Sequence, residues 1–328
     1  MASPGDHPSP FSVCLIDMNN GVENQGIRCF KGIVDRFFET VRAANPGIPI
    51  TFSHVEPRNR GEAPPEAADL YLSSGGPGSP YDGYDDPWCV DYRKFLDALA
   101  AEGLAHPEGA RSLFAVCHSF ELCVMHFQVA RMTQRPTRKF GVMPVYMTDE
   151  GLASPLLSVF GDRLFAFEHR SWQAVDLDTT KLAALRGKLW ARESRDGHSK
   201  GEGLLSFLFA PNIEGTLFHP EADRAGALAW IARPDQAAAV IEAYGELTYL
   251  RMLKTLDDPT RLARTYALLL PGWLTRRFNA LAPARGWTGV AAPAYDETTR
   301  SSFGRPPGHT ETAADGEPLL IELSREGV

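Results

Sequence analysis

The chain has 328 residues, 44% of them hydrophobic and 23% charged, with a formal net charge of −8. That length suits one large domain, or a medium domain with extensions. The acidic balance argues against nucleic-acid and anionic-membrane surfaces, which need clustered basic residues, and no apolar run reaches the roughly 20 residues of a membrane span.

Residues 1–10, MASPGDHPSP, are Pro/Ser/Gly-rich and are expected to be flexible; they lack the basic start and apolar core of a secretory signal. The first strand is predicted at FSVCLIDM, Phe11 to Met18. A helix follows over Gly26 to Ala44, where Ile27, Phe30, Ile33, Val34, Phe37, Phe38 and Val41 recur at helical spacing. ITFSHV (Ile50 to Val55) and ADLYLSS (Ala68 to Ser74) read as strands, the second running into GGPGSP. A helix is expected over Trp88 to Glu102, a strand over Leu113 to Cys117, and a helix from His118 to about Met132. This alternation predicts an α/β fold, an open and mostly parallel sheet with helices on both faces.

The next stretch changes character. Phe140 to Thr148, Leu164 to Leu177, Leu204 to Ala210 and Ile213 to His219 read as short strands that extend or flank the sheet, followed by a helix over Ala222 to Ala232. Beyond Pro234 the chain is Ala/Leu-rich and helical, broken at Asp257–Pro259 and expected to stop at Pro271–Gly272, with a short amphipathic piece after it. The organisation is therefore a main domain over 11–233, a helical extension over 234–284, and a Gly/Pro/Thr/Ser-rich tail over 285–328 that is expected to be poorly ordered.

Cys14, Cys29, Cys89, Cys117 and Cys123 are odd in number, irregularly spaced and form no C-x-x-C pair. They read as reduced thiols in a cytoplasmic protein, with no metal site. Cys117 is singled out because it stands where a strand stops and a helix begins. Such a turn holds a nucleophile out of the sheet, and the helix N-terminus lowers a thiol pKa. The competing reading, a small buried hydrophobe, suits Cys14 and Cys123.

Two further stretches weigh against that bland reading for Cys117. Gly75–Gly76, at the end of a strand, allows close backbone approach to a ligand. In TLFHPEAD, His219 and Glu221 are two residues apart. In extended chain they share a side at about 6.5 Å, so the carboxylate can hold one imidazole nitrogen while the other faces a thiol. Pro220 favours that extended form.

Taken together, SSGGPGSP, AVCHSFEL and FHPEAD, in this order, resemble the motifs of class I glutamine amidotransferases, and the resemblance covers residues 11–233. It implies an open α/β domain with Cys117 as nucleophile, His219 as base and then acid, and Glu221 as its orienter. It also implies oxyanion-hole amides at Gly76 and His118 and substrate contacts at Gly75. The implied chemistry is thiolate attack on a γ-carboxamide, release of ammonia and hydrolysis of a γ-glutamyl thioester, with no cofactor and with a separate synthetase as the possible ammonia acceptor. Two positions depart from the family pattern: Ser119 replaces a glycine and Glu121 a glutamine. Glu121 makes Cys117-His-Ser-Phe-Glu121 similar to the γ-glutamyl hydrolase branch, so a γ-glutamyl peptide or larger amide is an alternative substrate. Arg170, in the segment that the resemblance makes substrate-facing, could pair with a substrate carboxylate or with Glu121. An acyltransferase of the homoserine O-succinyltransferase type and a non-catalytic binding module of the same fold are the other readings.

Overall fold

The computed structural model describes residues 10–195 and 203–295. Residues 1–9 of the start that was expected to be flexible, and residues 296–328 of the tail, therefore lie outside the described residues. The elements run β1 (Phe11–Ile16), α1 (Gln25–Ala44), β2 (Ile50–Val55), α2 (Pro57–Arg60), β3 (Leu70–Ser73), α3 (Pro87–Ala105), β4 (Ser112–Val116), α4 (His118–Phe127) and β5 (Arg131–Met147). Then come α5 (Asp149–Leu152), β6 (Arg163–Val175), α6 (Thr179–Ala184), β7 (Lys188–Arg192), β8 (Leu204–Ala210), β9 (Ile213–Thr216), α7 (Arg224–Ile231), α8 (Pro234–Tyr244), α9 (Glu246–Leu256) and α10 (Leu262–Arg285).

Among the described residues, nine strands form one sheet in the order β2-β1-β3-β4-β9-β8-β6-β5-β7. The half from β2 to β9 is parallel, as a βαβ pattern dictates. The remaining pairings are antiparallel, and β7 also pairs with β8, so this end closes on itself into a small four-stranded barrel. The expectation of an open, mostly parallel sheet is corrected accordingly. The cause is the hairpin of β5 and β6, 17 and 13 residues long. Strands of that length twist enough for the β7 edge to reach back to β8.

Helices cover both faces of the parallel half. On one side Tyr71 meets Phe95 of α3, and Phe120 of α4 packs on Phe207 and Phe209. On the other, Phe114 meets Trp273 of α10, and Phe11 contacts Phe37 of α1 and Phe278 of α10. Within 234–284, then, α10 completes the main core. It is continuous through Pro271 and Gly272, which were expected to stop it. A mid-helix proline costs about 3 kcal/mol; burial of Leu269, Leu270, Trp273, Leu274 and Phe278 on the same helix outweighs that. Helices α7, α8 and α9 instead form a second cluster against Phe140, Val142 and Phe167 of the hairpin. The first part of the tail is docked too: Trp287 stacks on Phe278 at 5.4 Å and Val290 is buried.

Candidate active site

The parallel strands end together at one edge, where β4 delivers Cys117. Its amide donates to the Thr216 carbonyl at 2.8 Å, so β9 fixes the last rung. The chain then turns into α4 with Cys117 at φ 51° and ψ −107°. A non-glycine residue there stores about 1–3 kcal/mol of strain, which the flanking strand and helix hold in place. Cys117 is 7% exposed and lines a cavity of 630 Å³.

The glycine loop lies against it. A methyl group on Gly75 would come within 2.9 Å of the His219 ring and 3.2 Å of Cys117 Cβ, so only glycine fits between them. Gly76 presses on the Met18 carbonyl, where a Cβ would meet the oxygen at 2.1 Å. Arg58, which the sequence reading missed, and Ser119 pin this loop. Arg58 donates to the carbonyls of Met18 (2.9 Å) and Pro77 (2.8 Å). Ser119 donates to the Ser74 carbonyl at 2.6 Å and shares a hydrogen bond with Ser73, to which Tyr92 donates. The departure from glycine at Ser119 thus supplies a buried hydroxyl that ties the elbow helix to the glycine loop.

His219 arrives from β9, and its amide donates to the Phe167 carbonyl of β6 at 2.9 Å. Its Nδ1 stands 2.8 Å from Glu221 Oε1, and the Cys117 sulfur lies near enough to the ring to raise its pKa. Glu221 is buried and its Oε1 lies over the first turn of α1, 3.2 Å from where a Gly26 Cβ would be. The positive end of that helix favours a carboxylate there. Burial works against charge on the His219 ring, but Glu221 and the Cys117 sulfur outweigh it and hold the ring well above its ordinary 6.5. Removing the carboxylate charge should therefore let the ring lose its proton at lower pH. In an NMR titration of the ring signals, Glu221→Gln is expected to shift the His219 midpoint downward; an unchanged midpoint would contradict this electrostatic account.

Cys29 also lines the cavity, but burial and the nearby Asp223 push its thiol up to about 12. It is therefore a poor nucleophile near neutral pH. All five cysteines are free, and no cluster of metal-ligating side chains occurs among the described residues.

The remaining predicted residues divide. Glu121 is 3% exposed, faces the cavity and lies 3.6 Å from His118 Nδ1. His118 is buried, and neither ring nitrogen has a hydrogen-bond partner. Arg170 is not brought to Glu121. It pairs with Glu168 at 2.6 Å and Glu193 at 3.4 Å, and donates to the Trp172 carbonyl. Arg170 lines the same cavity, but its guanidinium is satisfied internally; of the two partners expected for it, a substrate carboxylate or Glu121, the pairing with Glu121 is not formed. The reason is nonlocal: strand β7 ends at Arg192, and Glu193 follows it alongside the hairpin.

No family model matches the sequence, and no curated protein does. Solved structures are similar. A glutamine amido transferase from Methylobacillus flagellatus superposes with a TM-score of 0.54 at 16% identity, covering 88% of this chain and all of that one. A glutamine amidotransferase from Thermotoga maritima does so at 0.52 and 17%, covering 84% and 99%. The fold is glutamine amidotransferase-like. No helix among the described residues is long and apolar enough to cross a membrane.

Proposed function

We propose that the chain is a cysteine-nucleophile amidase that cleaves γ-glutamyl amides. The observation that carries this reading is the meeting of Cys117, His219 and Glu221 at one cavity, with Gly75 packed against both thiol and imidazole. The Cys117 thiolate attacks the γ-carbonyl carbon, and the developing oxyanion is met by the amides of Gly76 and His118. The C–N bond breaks as His219 gives its proton to the departing amine, leaving a γ-glutamyl thioester. His219 then takes a proton from water, whose oxygen attacks the thioester and frees the thiol. Glu221 holds the ring in place throughout. Glu121 offers a carboxylate to the α-ammonium of the glutamyl group, and Gly75 gives the chain room to approach.

Ammonia is the leaving group when glutamine is the substrate, released to water or passed to a separate synthetase. Glu121 and the cavity volume favour a second substrate, a γ-glutamyl peptide or larger amide. At 630 Å³ the cavity lies within the roughly 300–1,000 Å³ that encloses drug-sized ligands, and glutamine is far smaller.

The test is alkylation with a glutamine-mimicking diazoketone, read by intact and peptide mass spectrometry, beside ammonia release from glutamine and amine release from γ-glutamyl peptides. A single adduct on Cys117 and turnover of at least one substrate are expected. No adduct and no turnover would leave a binding module of the same fold.

A further inference from the structure

The leaving amine must depart beside His219, the group that protonates it, so the wall running outward from His219 shapes that half of the substrate. That wall is mostly aromatic. The Phe167 ring is 6.2 Å from His219, and the buried Phe140 ring backs the wall, 5.8 Å from Phe167 and 5.4 Å from His169. Trp230 of α7 meets the His169 ring edge-on at 4.9 Å, and the Arg233 guanidinium lies 4.4 Å over Trp230. His169, Trp230, Arg138 and Arg233 all line the same cavity as Cys117.

Arg233 pairs with Asp235, at 3.2 and 3.1 Å. The Arg138 guanidinium contacts the neutral His169 ring and Gln236 Oε1 and makes no ion pair among the described residues, although the Asp235 carboxylate is near enough to act on it. His169 stays uncharged, because burial and then Arg138 push its pKa down to about 2. A half-exposed guanidinium held by a neutral imidazole at the rim of an aromatic slot is a receptor for an anion attached to a ring.

Resting on the reading above, we infer that this wall is a leaving-group subsite, and that the preferred substrates are γ-glutamyl amides of an aromatic amine bearing a carboxylate or similar anion. The γ-glutamyl half lies against the glycine loop and Glu121. The aromatic ring of the amine packs on Trp230 and Phe167, and its anion meets Arg138. The bond broken and the proton donor are those already described.

Two chromogenic probes separate the contributions: γ-glutamyl-4-nitroanilide and γ-glutamyl-3-carboxy-4-nitroanilide share the glutamyl half and the ring and differ by one carboxylate. The parent protein is expected to favour the carboxylated anilide in kcat/KM by roughly 10- to 100-fold, the worth of one charge-assisted hydrogen bond. Arg138→Gln should bring the ratio close to one, and Arg138→Lys should restore part of it. Equal kcat/KM values in the parent protein would overturn the inference, as would a ratio unmoved by Arg138→Gln. A uniform loss on both anilides would also overturn it, by placing Arg138 on the glutamyl α-carboxylate. Alkylation of Cys117 by the diazoketone with no preference between anilides removes this inference alone. Absence of both alkylation and turnover removes the amidase reading itself.

Discussion

Cys117→Ala is expected to lower γ-glutamyl amide turnover by at least about 10⁴-fold while leaving the fold intact. The thiol is the atom that would form the acyl bond, so nothing else in the cavity can replace it. Cys29, the other thiol there, is held in its protonated form by burial and Asp223. The fold should tolerate the change. The strained φ of 51° is set by β4, β9 and α4 rather than by the side chain, and alanine meets the same strain as cysteine. The Cys117 side chain also borders the cavity, so removing one sulfur atom costs little packing. Amine release and far-UV circular dichroism, measured on the same preparation, check both halves. Full activity in the alanine variant would end the reading of Cys117 as the nucleophile.

The elbow was legible because its signals are local. Leu113 to Cys117 is an unbroken apolar run, and the helical pattern starts one residue after Cys117. The His219–Glu221 spacing was equally local, and the structure puts the two side chains within hydrogen-bond distance. What escaped was set by distant chain. The stretch Arg131–Lys139 carries no strand pattern, yet it forms the first half of β5, because β6 offers it a partner from Val175 back to Arg170. The predicted helix to Met132 accordingly stops at Phe127, and Gln128 turns the chain at φ 54°. Arg170 was found as a position, but its partners were not: Glu193 comes from beyond the end of β7, and Glu168, on the same strand, gave no sign of turning to it. Arg58, Ser73 and Tyr92 gave no signal at all: each acts on the glycine loop through a contact that only the folded chain creates.

Pro271–Gly272 was the firmest of the misread signals, and the reason for the continuous helix leads to a second large effect. Past the proline, α10 carries Arg276 and Arg277 to Glu214, a carboxylate of β9 with no solvent exposure. Arg276 grips both oxygens, at 2.5 and 2.6 Å; Arg277 adds a third contact and donates to the Pro211 carbonyl at 2.8 Å. Burial alone would raise the Glu214 pKa, but the two guanidinium groups outweigh it and hold the group below its ordinary 4.5. A depressed carboxylate pKa contributes stability that is present above the unfolded value and is lost as pH falls through the folded one, so this anchor weakens only in acid. Glu214→Ala leaves Arg277 buried without its counter-charge. That is expected to destabilise the fold by about 3–5 kcal/mol and to lower the melting temperature by roughly 5–15 °C at neutral pH. The triple change Glu214→Leu, Arg276→Met, Arg277→Met removes the stranded charge and should recover most of the loss, because a buried ion pair roughly breaks even against apolar packing of similar volume. Calorimetry on the two variants separates the possibilities. A single variant that melts with the parent would show that α10 is held by Trp273, Phe278 and Trp287 alone. A triple variant as unstable as the single one would show that the ion pairs themselves, and not the avoidance of an unpaired charge, fix the helix across the sheet.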